Sequence, residues 1–401
     1  MSIVVSKSAP VVVRPSEPGT STADKILLSP LDKPVATIPV TVLLAFDHPI
    51  NDATADTIKM ALAQALVHYY HIAGRLSCND DDDGGDFYID CTGEELGVTF
   101  VAASANCTME ELMCLVDDQP PDDETAVVQQ LAFNCTPDDL HHRLLWVQVT
   151  TLNCGGFVVG VTWSHGVADG PGIAQFIQAV SELARGLPSP SVAPVRLDDK
   201  IATQPVRPFT MAVHRFISGL NPVSNLNCRT RAVMTDPEAP AVLLFAVNAR
   251  KYLGAKDGYY GCCTAMHMAV SKTGTVANGD IMELVGIIRR AKEQIPEQLK
   301  ADDGDLMLWT MVGEKQVNGY ESLLYLTSWR NIGFEDVDFG SGKTARVMTY
   351  PPRMLSMMPR IAPICFMLKA TEEGVRVMSD CVTPHHADAF YQEIAKLQAT
   401  T

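Results

Sequence analysis

Apolar residues along the chain follow two different spacings. Residues 39–46 form a continuous apolar run rich in β-branched side chains, which predicts a buried strand. Residues 52–70 instead repeat apolar side chains every three or four positions, which predicts a helix. Two further apolar runs, 143–152 and 156–163, are separated by three turn-forming residues and predict a β-hairpin.

The remaining elements follow in an irregular order. An acidic turn is predicted at 79–85. Strands are predicted at 87–91, 241–247, 322–328, 346–350, 361–368 and 375–379, and helices at 173–187, 282–294 and 385–397. Because strands and helices do not alternate regularly and a hairpin is present, the pattern favours an α/β protein with mixed sheets over a doubly wound parallel sheet.

The length of 401 residues predicts two domains, since a single core rarely grows that large. A proline-rich stretch with little periodicity begins at 188 and is the best candidate for a linker. We therefore predict an N-terminal domain at 1–187, a crossover linker at 188–215 and a C-terminal domain at 216–401.

Charge and cysteine content narrow the class of protein. Forty-seven acidic against 31 basic residues give a net charge of −16, which argues against nucleic-acid binding. No stretch is apolar and long enough to span a membrane, and no secretory leader is evident. Eleven cysteines without a CxxC pair are typical of a reducing compartment. These features predict a cytoplasmic protein that does not associate with membranes.

The strongest local sign of chemistry lies at residues 163–172, WSHGVADGPG. An apolar strand ends at His165, small residues surround it, and Asp169 follows four residues later. A histidine at such a position is a natural general base. The spacing is not unique, because His48 and Asp52 repeat it in a predicted surface turn. Taken alone, this segment does not decide whether His165 has a structural role at the strand end or a catalytic role.

A second segment, DFGSG at 338–342, favours the catalytic role of His165. In this order, HGVADG and DFGSG resemble the HxxxDG and DFGWG motifs of the plant BAHD acyltransferases. Further segments resemble motifs of the same family and extend over nearly the whole chain; they are LSPLD at 28–32, YHIAGRL at 70–76, VNAR at 247–250, YYG at 259–261 and TSW at 327–329.

The resemblance implies a two-domain fold of the chloramphenicol-acetyltransferase type, with mixed β-sheets and a channel between the domains. It implies an acyl-CoA co-substrate, a small-molecule acceptor, no permanently bound cofactor or metal, and a monomer. His165 would be the general base. Trp329, with Thr327 beside it, would be the oxyanion donor, and no covalent acyl-enzyme would form.

Other residues are implied to support the site. Asp169 would pair with Arg250 and hold the histidine loop, and Asp338, Gly340 and Gly342 would shape the second motif. Three positions depart from the family pattern: His71 replaces a proline, Cys262 follows the YYG turn where the family usually has asparagine, and Ser341 replaces the tryptophan of DFGWG.

The first predicted strand bears on the acceptor. The resemblance implies that this strand faces the acceptor pocket; residues 36–42 are largely apolar here, and we expect Ile38 and Val40 to line that pocket. A buried polyol would leave hydroxyl groups unpaired there, at a cost of about 1–3 kcal/mol each. We therefore expect an aromatic acyl-CoA, hydroxycinnamoyl or benzoyl, and either a less polar alcohol or an amine.

Two alternatives remain open from the sequence. The chain is short for the family, and the shortfall lies at 214–229, so one alternative is a catalytically impaired homologue that binds CoA esters or a partner. The other is a metal site that joins His165 and Asp169 to a pair such as His141 and His142. Glycines around His165 argue against the helix that the latter would need.

Overall fold

The computed structural model describes residues 3–17, 25–78, 87–92, 96–118, 127–136, 138–204, 230, 233–299, 323–350, 364–368, 377–380, 382 and 384–398. They fall into two compact units. As far as it is described, the first comprises Met1–Gln204, Ala255–Cys263 and Asn331–Ser356, and the second comprises Pro205–Gly254, Thr264–Arg330 and Met357–Thr401.

The described strands are numbered in chain order. They are β1 Val5–Lys7, β2 Val11–Val13, β3 Lys25–Leu27, β4 Pro39–Phe46, β5 Arg75–Cys78, β6 Phe87–Asp90, β7 Val98–Ala105, β8 Leu145–Leu152, β9 Phe157–Ser164, β10 Pro240–Asn248, β11 Thr264–Lys272, β12 Leu323–Ser328, β13 Arg346–Met348, β14 Ile364–Met367 and β15 Val377–Asp380.

The described α-helices are α1 Thr54–His68, α2 Met109–Asp118, α3 Val127–Gln130, α4 Gly170–Ala184, α5 Asp199–Ala202, α6 Arg250–Leu253, α7 Thr273–Asn278, α8 Ile281–Glu293, α9 Ile295–Gln298 and α10 Pro384–Gln398. Short 3-10 helices cover Lys33–Val35, Tyr70–Ala73, Asp138–His141 and Phe334–Asp336. In this part of the chain, no helix combines the length and the hydropathy needed to cross a membrane.

The first unit is built on a mixed sheet of seven strands. Its order is β1-β7-β8-β9-β4-β13, with β2 also paired to β7, and a smaller sheet has the order β3-β6-β5. β7 and β8 run parallel, whereas β8–β9 and β9–β4 are antiparallel. Strand β9 is buried along its whole length, and α1 packs against α4. Residue 165 therefore follows directly after a strand that is buried and paired on both sides.

The second unit contains a five-stranded mixed sheet in the order β11-β10-β12-β14-β15. β12 is parallel to both of its neighbours, and Trp329 is the first residue after its end. Buried apolar residues of β10, β11 and β12 pack with residues of α8 and α9 to form the core of this unit. The mixed α/β class predicted from the sequence is confirmed.

Most of the predicted elements within the described residues are present. The run at 39–46 is β4, the predicted hairpin is β8 and β9, and the helices at 52–70, 173–187 and 282–294 correspond to α1, α4 and α8. Strands β7 and β11 were not predicted. β11 has the sequence TAMHMAVSK, whose alanine and methionine content does not mark a strand, yet it pairs with β10 over nine positions.

The compact units do not follow the predicted linear boundaries. Strand β13 pairs with β4, so the DFGSG segment expected in the C-terminal domain packs with the first unit. Residues 188–204, expected in the linker, also belong there, since the Val195 N–H donates to Gly258 O at 2.9 Å. The acidic turn at 79–85 and the short segment at 214–229 lie outside the described residues.

Candidate active site

His165 follows directly after β9, where the strand leaves its pairing with β4. Its main-chain N–H donates to Ile38 O at 2.9 Å, and its side chain is half-buried. Ile38 and Val40 are both half-buried, and Val40 in β4 pairs with Trp163 in β9. The structure thus places Ile38 directly beside His165, and the acceptor-pocket role of Ile38 and Val40 remains a prediction.

The environment of His165 favours the uncharged ring. Burial lowers the pKa of His165 from its ordinary value, whereas the Asp169 carboxylate, a hydrogen bond from the ring to its own main-chain carbonyl, and the Asp32 carboxylate oppose that shift. Because the net direction is downward, the imidazole is neutral at pH 7 and keeps a nitrogen lone pair that can accept a proton.

Asp169 points into the protein rather than toward a ligand. It is 0% exposed and caps helix α4, with Oδ1 accepting from Gly172 N at 3.0 Å, while Oδ2 accepts from Cys263 N at 3.0 Å. Gly172 allows this arrangement, because a Cβ atom there would lie 2.0 Å from Tyr260 O. Asp169 therefore fixes the loop that carries His165 to residues 259–263.

A buried ion pair holds the same loop from the other side. Asp32, 0% exposed, accepts from Arg196 Nη2 at 3.0 Å and from Ser29 N at 2.8 Å through Oδ2. Its Oδ1 accepts from Cys262 N at 2.8 Å, and Arg196 Nη2 also donates to Gly166 O at 3.3 Å. One carboxylate therefore joins three segments that are distant in sequence.

Arg196 is not among the residues that the sequence predicts to support the site. It lies in the proline-rich stretch that was predicted to be linker, yet it is only 5% exposed. The available signal was a single arginine flanked by Val195 and Leu197. Asp32 was identified only as the last residue of the LSPLD segment, without a partner.

The turn at 259–263 completes the surroundings of His165. Because the amides of Cys262 and Cys263 bind two different buried carboxylates, the Cys262 Sγ atom is held 4.0 Å from His165 Nδ1. Tyr260 is buried, and its hydroxyl is 3.1 Å from His71 Nδ1. Burial, with Arg196 nearby, lowers the pKa of His71 to about 4, so this ring is neutral as well.

The second motif forms a closed loop in the first unit. Asp338 Oδ1 accepts from Gly340 N at 2.7 Å and from Gly342 N at 3.1 Å. Both glycines have positive φ angles, 105° and 103°, which favour glycine. Phe339 is buried edge-on against Phe46, with ring centroids 5.3 Å apart. These contacts define the shape of the loop, and the supporting role of Asp338, Gly340 and Gly342 in the site remains a prediction.

The other predicted site residues belong to the second unit. Trp329 follows β12, is 8% exposed, and meets the Phe366 ring edge-on at a centroid distance of 5.7 Å. Thr327 lies in β12 and is half-buried. Arg250 begins helix α6, and its Nη1 donates to Asn248 Oδ1 at 3.3 Å. The roles predicted for Trp329 and Thr327, and the pairing of Asp169 with Arg250, remain predictions.

The metal-site alternative has no counterpart among the described residues. No group of three histidine, cysteine, aspartate or glutamate side chains in that part of the chain is arranged to hold a metal ion. His141, one of the suggested ligands, instead places Nδ1 3.3 Å from Leu76 O.

Comparison with known proteins identifies relatives along the whole chain. The profile of the Transferase family matches residues 3–225 and 218–380. Acyl transferase 15 of Oryza sativa subsp. japonica is 86% identical over 435 positions, covering 100% of both chains. Myricetin 3-O-glucosyl 1,2-rhamnoside 6'-O-caffeoyltransferase AT2 of Crocosmia x crocosmiiflora is 28% identical and covers 98% of this chain and 99% of its own.

Two solved structures share the fold. Vinorine synthase superposes with a TM-score of 0.68 at 18% identity, covering 96% of each chain. TRI101 of F. graminearum, crystallised with ethyl coenzyme A, superposes with a TM-score of 0.63 at 17% identity and covers 91% of this chain and 96% of its own. The expected two-domain acyltransferase fold is thereby confirmed.

The same comparisons locate the shortfall in length. The alignment with the rice relative has 435 positions, 34 more than the 401 residues of this chain. The family profile also matches in two parts that meet at 218–225, within the short segment at 214–229. The rice relative therefore has about 34 positions without a counterpart here, and the two parts of the family match overlap within the segment predicted to be short.

Removing the charge of Asp32 should destabilise the first unit. We expect Asp32→Asn to lower the free energy of unfolding by about 3–5 kcal/mol, because Arg196 would remain buried without its counter-charge. Urea unfolding followed by tryptophan fluorescence measures this loss. The matched control is Asp56→Asn, whose exposed pair with Lys59 should contribute less than about 1 kcal/mol. Equal losses in the two variants would contradict this account of the ion pair.

Proposed function

The chain belongs to the plant BAHD family of acyl-CoA-dependent acyltransferases, and on that premise we propose that it transfers an aromatic acyl group from CoA to an alcohol or amine with His165 as general base. The observation that carries the proposal is the neutral, half-buried His165 at the end of β9. Its loop is fixed by two buried carboxylates, Asp32 and Asp169.

The proposed reaction has two steps and no acyl-enzyme. The Nε2 atom of His165 accepts the proton of the acceptor hydroxyl or amine while the acceptor heteroatom bonds to the thioester carbonyl carbon, and the carbonyl oxygen becomes an oxyanion. When the intermediate collapses, the carbon–sulfur bond breaks and the imidazolium returns its proton to the CoA sulfur. General-base assistance of this kind contributes about 10²–10⁴-fold to a rate.

The oxyanion of this intermediate needs a hydrogen-bond donor. We assign that role to the indole N–H of Trp329, with Thr327 beside it, as the resemblance implies. An indole nitrogen can only donate a hydrogen bond, so it suits an oxyanion, which can only accept one. Arg250 is proposed to support Asp169 as its ion-pair partner.

The proposed substrates follow from the apolar acceptor side and from the relatives. Ile38 and Val40 give the strand beside His165 an apolar face, which suits a less polar alcohol or an amine better than a polyol. The caffeoyltransferase among the relatives supports an aromatic donor. Acyl-CoA is a co-substrate in this proposal, and TRI101, with its bound ethyl coenzyme A, has the same fold.

Replacement of His165 tests the general base. We expect His165→Ala to lower acceptor-dependent CoA release by about 10²–10⁴-fold, because no other group would accept the proton. Release of the CoA thiol is measured with benzoyl-, coumaroyl-, feruloyl-, acetyl- and malonyl-CoA against pooled alcohols and amines. The control is His48→Ala, which removes the exposed histidine of the second HxxxD spacing. A general base elsewhere is indicated if His165→Ala keeps the wild-type rate.

Trp329 can be tested with an aromatic replacement. We expect Trp329→Phe to lower kcat by about 10²–10³-fold, since an aromatic ring remains at this position while the N–H donor is lost. Steady-state kinetics with the best substrate pair give the effect. Trp146→Phe, at a buried tryptophan stacked on Phe133, is the matched control. An unchanged kcat in Trp329→Phe would exclude the indole as oxyanion donor.

The shortened segment supports a second function. A chain that lacks about 34 positions of its 86% identical relative could bind CoA esters without turning them over. This function predicts saturable CoA-ester binding with no CoA release. It also predicts that turnover appears when the relative's extra residues are inserted between 218 and 225. Calorimetry and the thiol assay measure the two properties, and turnover by the unmodified chain would contradict this second function.

A further inference from the structure

We propose that Cys262 is a positioning residue for His165: its sulfur accepts a hydrogen bond from Nδ1–H and thereby leaves Nε2 as the nitrogen that takes the acceptor's proton. The inference rests on the proposed function only for the role of His165 as base.

The position of the thiol is fixed by the main chain. Cys262 is 2% exposed, and its Sγ atom lies 4.0 Å from His165 Nδ1, within reach of a hydrogen bond to sulfur. Its N–H donates to Asp32 at 2.8 Å, and the next N–H, of Cys263, donates to Asp169 at 3.0 Å. Since both anchors use backbone N–H groups, a substitution at 262 changes the side chain beside His165 and keeps the two hydrogen bonds.

The main chain of His165 favours the same tautomer as the contact with Cys262. A hydrogen bond with its own main chain raises the pKa of the His165 ring, which is the direction that a carbonyl acceptor gives. We assign the hydrogen to Nδ1, because the covalent geometry of histidine puts Nδ1, and not Nε2, next to its own main chain. The Cys262 sulfur faces the same nitrogen and therefore also accepts. Nε2 is then without a hydrogen, as a general base requires.

A sulfur acceptor also affects when the base becomes protonated. Sulfur accepts a hydrogen bond more weakly than oxygen does, so it stabilises the imidazolium less. The charged groups that act on His165 are the carboxylates of Asp169 and Asp32, which favour protonation. Arg196 donates hydrogen bonds to Asp32 and to the carbonyl oxygen of Gly166. These groups are the same in every variant below, so a change in protonation reports the group at 262.

The experiment replaces the thiol by stronger acceptors in the full-length chain. We expect Cys262→Ser and Cys262→Asn to move the acid limb of the pH profile of kcat/KM upward by about half a pH unit, as an oxygen acceptor would stabilise the charged ring. The ¹⁵N chemical shifts of the histidine rings, assigned by the loss of signals in His165→Ala, give the tautomer and pKa of His165 directly and need no turnover.

The matched control is Cys107→Ser. Cys107 is also 2% exposed in the first unit but lies in an apolar cluster with Leu43 and Leu131, so the same thiol-to-hydroxyl change should leave the acid limb in place. Far-UV circular dichroism and melting curves verify that all variants are folded.

The possible results separate the two proposals. An Nδ1–H tautomer in the wild type, with an upward shift in both Cys262 variants, supports the positioning role. An Nε2–H tautomer, or a lower kcat with an unmoved acid limb and unmoved ring shifts, overturns it. If no substrate pair yields CoA release, the proposed function fails, while the ring shifts still decide the role of Cys262.

Discussion

The buried pair of Asp32 and Arg196 is the interaction on which the site depends. Two opposite charges with almost no solvent exposure carry a large desolvation cost, and their mutual attraction offsets it only when the remaining lone pairs and N–H groups are also satisfied. Here Asp32 receives two backbone amides besides the guanidinium, and Arg196 reaches a main-chain carbonyl of the His165 loop. The pair is therefore better explained by the geometry it enforces than by a net gain in stability.

That geometry connects the histidine to a distant turn. Asp32 binds the amide of Cys262, and Asp169 binds the amide of Cys263, so consecutive residues are held by carboxylates from two separate segments. Two successive hydrogen-bonded amides fix the position of the turn at 259–263 relative to the loop that carries His165. Because Asp169 also caps helix α4, the position of His165 is linked to a helix, to a strand end and to this turn at once.

The parts of this arrangement that are local in sequence could be predicted, and the parts that depend on distant contacts could not. The strand at 39–46, the hairpin that ends at His165 and the helix after Asp169 follow from hydrophobic periodicity and turn residues. Asp32 and Arg196 are separated by 164 residues, and no periodicity relates them. Strand β11 was missed for the same reason, because its conformation depends on pairing with β10 rather than on β-branched side chains.

The shortened segment and the complete surroundings of His165 bear on different steps of the reaction. Among the residues that the structure describes, the contacts that orient His165 come from residues 29–38, 164–172, 196 and 260–263. These described groups are encoded outside 214–229, the segment predicted to be short. With His165 as the proposed base, we therefore expect a loss there to affect the binding of the CoA ester before it affects proton transfer. This order distinguishes a weakened enzyme from a protein whose catalytic histidine has lost its support.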